Sequence, residues 1–413
     1  MTVTGGSVEK ELEGMLGKRV SVVGLGYTGL PTAAVLASRG YSVHGVDVNP
    51  RAVDTINSGR AHIVEPDLDM LVRAAVTTGR LEAHLAPRPS DIFILCVPTP
   101  CTPDHLPDLH HLTDATESIC PHLERGNLVV LESTSPPGTT EMLAALVTER
   151  TGIPAGEILW AHAPERVLPG RVLREVVEND RVIGGIDDAS TSFCAAFYRT
   201  FVSGELHLTN ARTAETVKLI ENAYRDVNIA FANELSLVAD ELNLDVWELI
   251  ELANRHPRVK ILRPGPGVGG HCIAVDPWFL VASAPHVTRL IRTAREVNDH
   301  KPAYVANRIL RRAERFRKPT IACLGLAYKP NVDDLRESAA VEVVRELMHA
   351  GTAEIRVCEP FVESHPEFPL VGPDEAIEGA DMVVFLVAHD IFRKIPRKAL
   401  EEKIIMDVCG AYR

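Results

Sequence analysis

The chain lacks any apolar run near the roughly 18 residues that a membrane-spanning helix needs, so no membrane span is expected. Its opening residues, MTVTGGSVEKELEGMLGKR, lack the apolar core of a secretory signal. It also lacks a Cys-x-x-Cys pair: the eight cysteines, at 96, 101, 120, 194, 272, 323, 358 and 409, stand singly. That spacing argues against a disulfide framework and a zinc site and fits a reducing compartment, so a cytoplasmic location and no metal are expected. Basic residues are in deficit, with 43 Lys and Arg against 56 Asp and Glu and a formal net charge of -13. A nucleic-acid partner would want a basic face, whereas a small anionic ligand needs only a local basic cluster.

What is present is a globular composition, 46% hydrophobic and 24% charged, over 413 residues, long enough for two or three domains. One stretch organises the rest, Gly265-Pro266-Gly267-Val268-Gly269-Gly270-His271-Cys272-Ile273-Ala274-Val275-Asp276-Pro277. Glycines and prolines in this density describe a bent loop whose backbone approaches something closely. A cysteine at the end of such a loop is either apolar filler or a nucleophile. Glycines are wasted around mere filler, and Asp276 and the neighbouring histidine are groups that orient or activate a thiol.

Along the chain, Lys18–Val23 reads as a buried strand followed at once by Gly24-Leu-Gly26-Tyr27-Thr28-Gly29. A helix over Pro31–Arg39, a Gly40 cap and a second strand ending in Asp47 complete a dinucleotide-binding fingerprint. An acid at 47 prefers NAD to NADP, and Arg51 is the one nearby group suited to the extra phosphate. Further strands at 91–97 and 128–131 run into loops carrying Thr99 and Thr134, each either a cofactor contact or a turn-stabilising hydroxyl. His105, His110 and His111 read as a solvated connection rather than a metal site. A strand end at 160–164 leads to Glu165 and Arg166, an acid and a base above the sheet.

Asn210 caps a long helical pattern, Ala211–Leu242, which reads as a connecting rod and a dimer face. On it Lys218, Asn222 and Arg225 share one side, either an ordinary solvated stripe or donors for an oxygen-rich ligand. Helices are expected at 246–253 and 289–298, with the basic group Arg255-His256-Pro257-Arg258 between them. From 318 onward a second βαβ unit echoes the first without its phosphate glycines, and Lys329 and Arg336 are its basic residues. The expected fold is α/β: two Rossmann-like parallel-sheet domains, 1–205 and 306–413, joined by a long central helix and a helical middle domain, 206–305.

Seven motifs carry a resemblance that covers nearly the whole chain: GLGYTGLP at 24–31, CVPTP at 96–100, EST at 132–134, APERVLPG at 163–170, VKLIENAYRDVNIAFANE at 217–234, RHPRVKILRPGPGVGGHCIAVDPWF at 255–279 and GLAYKPNVDDLRES at 325–338. The chain resembles the UDP-glucose/GDP-mannose dehydrogenase family. His271 and Val275, where glucose-specific members tend to have Ser and Lys, point to its branch acting on N-acetylated sugars, with Ala274 and Trp278 favouring UDP-N-acetyl-D-mannosamine. The resemblance implies a four-electron oxidation of the sugar C6 hydroxymethyl to a carboxylate, using NAD and a covalent intermediate on Cys272. UDP-N-acetylglucosamine and UDP-glucose are the alternative substrates, and a two-electron dehydrogenase, an NAD-retaining epimerase or a non-catalytic nucleotide-sugar sensor the alternative classes.

The same resemblance assigns Lys218 as general acid/base beside Asn222, Asp276 as orienting group and Glu165 as assistant in thioester hydrolysis. It places Arg166, Val167, Arg225, His256, Arg258, Gly269, Tyr328 and Lys329 on the UDP-sugar, with Lys218 and Asn222. Tyr27, Thr28, Asp47, Thr99, Thr134 and Arg336 fall on NAD. A homodimer or larger homo-oligomer is implied, with His256 and Arg258 reaching across it. One departure is Cys409, where family members often carry a basic residue after the late Asp407.

Overall fold

A computed structural model describes residues 14–15, 17–168, 170–270 and 272–412. The expectations that rest on the opening 13 residues, on Pro169 and on His271 lie outside the described residues. The chain divides into two compact units, Met1–Ile220 and Glu221–Arg413.

The first unit is built on a sheet of β1 (Arg19–Val23), β2 (Ser42–Val46), β3 (Leu81–His84), β4 (Ile92–Leu95), β5 (Leu128–Leu131), β6 (Leu159–His162), β7 (Arg181–Gly185) and β8 (Leu206–Asn210), in the order β3-β2-β1-β4-β5-β6-β7-β8. Its helices are α1 (Gly29–Ser38), α2 (Pro50–Asn57), α3 (Leu68–Thr77), α4 (His110–Ile119), α5 (Thr139–Thr151), α6 (Val172–Glu178) and α7 (Asp188–Tyr198). Strand β4 is apolar at every position because its two faces feed two cores. Ile92 and Ile94 enter one, Phe93 and Leu95 the other. Parallel strands covered on both sides read as unbroken hydrophobic runs for this reason.

Parallel pairing holds from β3 through β6, but β6 and β7 run antiparallel, with Ala161 opposite Gly185 and His162 opposite Gly184. The carboxyl end of β6 therefore adjoins the start of β7. His110 and His111 stand in the first turn of α4 rather than in a loop, Asp108 holding the amide and ring of His110 through one carboxylate oxygen. The Pro and Asp around them read as turn residues, yet Asp108 closes a helix start.

Helix α8 (Ala211–Glu241) begins where Asn210 accepts the Thr213 amide at 2.9 Å, the expected N-cap. The second unit adds α9 (Val246–Ala253), α10 (Asp276–Ser283) and α11 (Arg289–Ala313). Beyond them lie α12 (Ala339–Ala350), α13 (Pro373–Ile377) and a parallel sheet of β9 (Thr320–Leu324), β10 (Glu354–Cys358), β11 (Met382–Phe385) and β12 (Ile404–Asp407), ordered β10-β9-β11-β12. Both sheets are Rossmann-like, as expected. Helix α11 passes the expected stop at Asn298 and carries Pro302 inside it. Proline alone favours ending a helix, but here Pro302 is buried, its ring against the glycine loop at Gly267. Packing outweighs propensity.

Candidate active site

In the first unit, the turn from β1 to α1 leaves no room for side chains at two of its three glycines. A Cβ on Gly24 would lie 2.5 Å from the Cys96 carbonyl oxygen, and one on Gly29 only 1.8 Å from that of Gly24. Gly24 also has a φ of 91°, a conformation that favours glycine. A Cβ on Gly26 would meet nothing within 4 Å, so the middle of the turn presents bare backbone to open space. That is the cradle a pyrophosphate requires at a helix N-terminus.

Asp47, just past β2, accepts the Leu25 amide at 3.0 Å and the Asn49 amide at 2.9 Å. Tyr27 is 45% exposed beside the turn, and Thr28 immediately precedes α1. Arg51 is exposed in the first turn of α2, its amide held by the Asn49 side chain. The Thr99 hydroxyl donates to the Thr134 carbonyl at 2.6 Å, tying together the loops after β4 and β5. Buried Glu215, on α8, accepts the amides of Gly138 and Thr140 and the Thr140 hydroxyl, fixing the end of the second loop.

Glu165, three residues past β6, is buried with the Arg181 guanidinium 2.5 Å away, and it accepts the Arg166 amide at 2.8 Å. Arg166 donates to the Asp180 carbonyl, and Val167 packs on the core. Lys218 is half-buried on α8. Its charge is felt by His162, the fully buried last residue of β6, neither of whose ring nitrogens has a hydrogen-bond partner. Burial first and Lys218 second push the His162 pKa from 6.5 down to about 3.

The folded protein thus keeps a neutral ring where the unfolded chain takes a proton, so stability is full above about pH 6.5 and falls as pH drops toward 3. The loss from this one group reaches the order of 5 kcal/mol at the acid end. Melting temperatures of the native protein and of His162→Phe, measured from pH 7 to 4, are expected to diverge, the variant losing less. Equal slopes would contradict this origin.

In the second unit the glycine loop is held on three sides. Gly265 donates its amide to the Asn233 side chain at 2.9 Å, and buried Asn233 in turn donates to Asn298. A Cβ on Gly267 would lie 2.8 Å from the Ala339 side chain, and one on Gly269 would lie 2.5 Å from the Glu337 carbonyl oxygen. Gly270, at φ 82°, donates to the Arg336 carbonyl at 3.1 Å with the Tyr328 ring against it. Beneath the loop, buried Asp226 binds Arg295 and Asn298.

Cys272 follows, half-buried, its carbonyl accepting the amides of Val275 and Asp276. Asp276 opens α10, is buried, and accepts the Asn222 amide at 2.6 Å. Two residues that the sequence places 54 positions apart therefore meet. Tyr328 and Lys329 lie after β9, the ammonium 5.4 Å from the phenol ring centre, and Arg336 is exposed and pairs with Asp334. Arg225 is exposed, as are His256 and Arg258, in a loop that Asn254 closes on itself through two hydrogen bonds to Ile261. Cys409 is a half-buried thiol, its pKa pushed up by burial and by Asp407.

Sequence reasoning passed over Glu132, Tyr198 and Arg181, which share the carboxyl edge of the first sheet with Glu165. A carboxylate directly after the apolar run Leu128–Leu131 was the available signal for Glu132. Nothing local marks the other two.

Three family models match in chain order. They are the NAD binding domain of the UDP-glucose/GDP-mannose dehydrogenase family at 18–202, its central domain at 212–300 and its UDP binding domain at 322–413. The chain is 54% identical to an NDP-N-acetyl-D-galactosaminuronic acid dehydrogenase of Ralstonia solanacearum over 407 residues, 96% of each chain. It is 51% identical to a UDP-N-acetyl-D-mannosamine dehydrogenase of Campylobacter jejuni, covering 91% of this chain and 97% of the other. A solved UDP-N-acetyl-D-mannosamine dehydrogenase from Pyrococcus horikoshii superposes with a TM-score of 0.87 at 41% identity, covering 96% of both chains. The fingerprint turn, the locked cysteine loop and these three consecutive matches place the chain in the UDP-glucose/GDP-mannose dehydrogenase family, as an NAD-dependent oxidoreductase.

Proposed function

We propose that the protein oxidises the C6 hydroxymethyl of UDP-N-acetyl-D-mannosamine to the carboxylate, through covalent intermediates on Cys272. The observation that carries this reading is Cys272 itself, at the end of a glycine loop crowded at Gly267, Gly269 and Gly270, beside an Asp276 anchored by Asn222. Bound NAD supplies the hydride acceptor for both oxidations. The bare backbone at Gly26, flanked by the two crowded glycines and by Asp47, suits it. Tyr27, Thr28, Arg51, Thr99, Thr134 and Arg336 complete its proposed contacts.

Lys218 takes or steadies the proton of the C6 hydroxyl, with Asn222 beside it. The Cys272 sulfur adds to the aldehyde carbon, giving a thiohemiacetal. Its oxidation by hydride loss leaves a thioester, which is open to hydrolysis because sulfur leaves readily. Glu165 accepts a proton from the attacking water, and the acid departs as the thiol is restored. Arg166, Val167, Arg225, His256, Arg258, Gly269, Tyr328 and Lys329 hold the UDP-sugar.

We place the cofactor, central and UDP-sugar functions in segments 1–205, 206–305 and 306–413 of a cytoplasmic homodimer or larger homo-oligomer. The exposed Tyr224, Phe231 and Val238, seven residues apart on α8, support self-association.

Val275 in place of a lysine supports an N-acetylated sugar. A second reading, an N-acetylgalactosamine nucleotide, is favoured by the 54% identical Ralstonia relative. A panel of UDP-N-acetyl-D-mannosamine, UDP-N-acetylgalactosamine, UDP-N-acetylglucosamine and UDP-glucose, followed by NADH release, separates them. UDP-N-acetyl-D-mannosamine is expected to lead UDP-glucose in kcat/KM by at least about tenfold. Preference for UDP-glucose would overturn the branch assignment, and preference for the galactosamine nucleotide would establish the second reading.

A further inference from the structure

The antiparallel pairing of β6 with β7 has a chemical consequence. In a fully parallel sheet the first residue of a strand lies at the edge away from the carboxyl ends. Because β7 is reversed, its first residue, Arg181, lies at the edge where β4, β5 and β6 end. There it is 1% exposed, places one nitrogen 2.5 Å from Glu165, and donates another to the Val176 carbonyl at 3.1 Å. Its guanidinium carbon sits 5.8 Å from the centre of the Tyr198 ring.

A second carboxyl, Glu132, directly follows β5 and is 2% exposed. Neutral groups serve it: the Tyr198 hydroxyl donates to it at 2.5 Å and the Cys96 thiol at 3.2 Å. Burial raises its pKa, with the nearby Arg181 opposing. Two carboxyls thus share one buried cation. The geometry commits that cation to Glu165 and leaves the other carboxyl to uncharged donors.

We infer that Arg181 is a positioning residue for Glu165: as its buried partner cation it fixes the carboxylate's orientation toward the hydrolytic water whose proton it accepts. The inference rests on the proposed role of Glu165. A buried carboxylate without a cation takes up a proton at higher pH. Removing Arg181 therefore depletes the ionised base at neutral pH and leaves the nucleophile untouched.

The test is the pH profile of kcat with NAD and UDP-N-acetyl-D-mannosamine for the native protein, Arg181→Met, Arg181→Lys and Glu165→Gln. It is paired with melting temperatures and the intact mass of the quenched enzyme. In Arg181→Met the acid limb is expected to move up by about 1–3 pH units. At pH 7 kcat should fall at least about tenfold, KM little changed, with recovery at higher pH and a sugar adduct retained on the enzyme. Arg181→Lys keeps the charge but loses the forked geometry, so a smaller upward shift is expected. A limb that stays in place in both variants, or a kcat lowered by one factor at every pH, would overturn the inference.

If Arg181→Met does not melt cooperatively, the limb of Arg181→Lys decides alone. Glu165→Gln separates the two levels of the argument. Native-like turnover in that variant removes Glu165 from the proposed function. Accumulated adduct there with an unmoved limb in the arginine variants removes only the role of Arg181.

Discussion

Cys272→Ala is expected to lower formation of the acid product by about 10⁴-fold or more, the scale seen when a covalent nucleophile is removed. The protein should otherwise fold as before, because the half-buried thiol is replaced by a smaller side chain and the loop before it is set by glycines. The loss follows from chemistry. Without the sulfur, the aldehyde from the first oxidation has no thiohemiacetal to form, and the second oxidation lacks the tethered tetrahedral carbon from which a hydride leaves. Cys272→Ser should rescue little, since an oxygen ester made in its place is a poorer acyl donor. Product analysis by chromatography, with NADH release in parallel, is the measurement. Turnover close to native in Cys272→Ala would favour a two-electron dehydrogenase or an epimerase.

Gly29→Ala should act on the other substrate. Its new Cβ would fall 1.8 Å from the Gly24 carbonyl oxygen, backbone against backbone, so the turn itself must move. Strain of this kind costs several kcal/mol and falls where the pyrophosphate is to be cradled. NADH binding, followed by fluorescence titration, is expected to weaken by at least about 100-fold, with a lowered melting temperature. Gly26→Ala is the informative partner. Its Cβ would point into open space, so the melting temperature should hold while binding weakens, because the methyl stands where the ligand approaches. Unchanged affinity in both variants would remove this turn from the cofactor site.

The division between what the sequence discloses and what it hides follows from range. Strands β4, β5 and β11 announce themselves because burial on both faces leaves only apolar residues. The phosphate turn does so because two crowded glycines and one open one recur at fixed spacing. The cysteine loop is legible for the same reason, Gly267, Gly269 and Gly270 each marking a close approach. By contrast, β8 is an edge strand with exposed His207 and Leu208, so no buried apolar run announces it. Strand β7 opens on an arginine that local reading assigns to solvent, yet it is 1% exposed. Its burial depends on an antiparallel pairing with a strand some 20 residues earlier, which no window of sequence displays. The continuation of α11 through Pro302 was hidden likewise, since the ring packs against Gly267, distant in sequence. Asn222 and Asp276 were legible as candidates by type, but only the fold joins them.

The most direct test is a count of reduced cofactor per sugar consumed. Purified protein given excess NAD and a limiting, weighed amount of UDP-N-acetyl-D-mannosamine should release two NADH for each sugar, because a hydroxymethyl gives up four electrons on its way to a carboxylate and each NAD takes two. A ratio of one, with aldehyde or ketone as product, would contradict a thioester on Cys272.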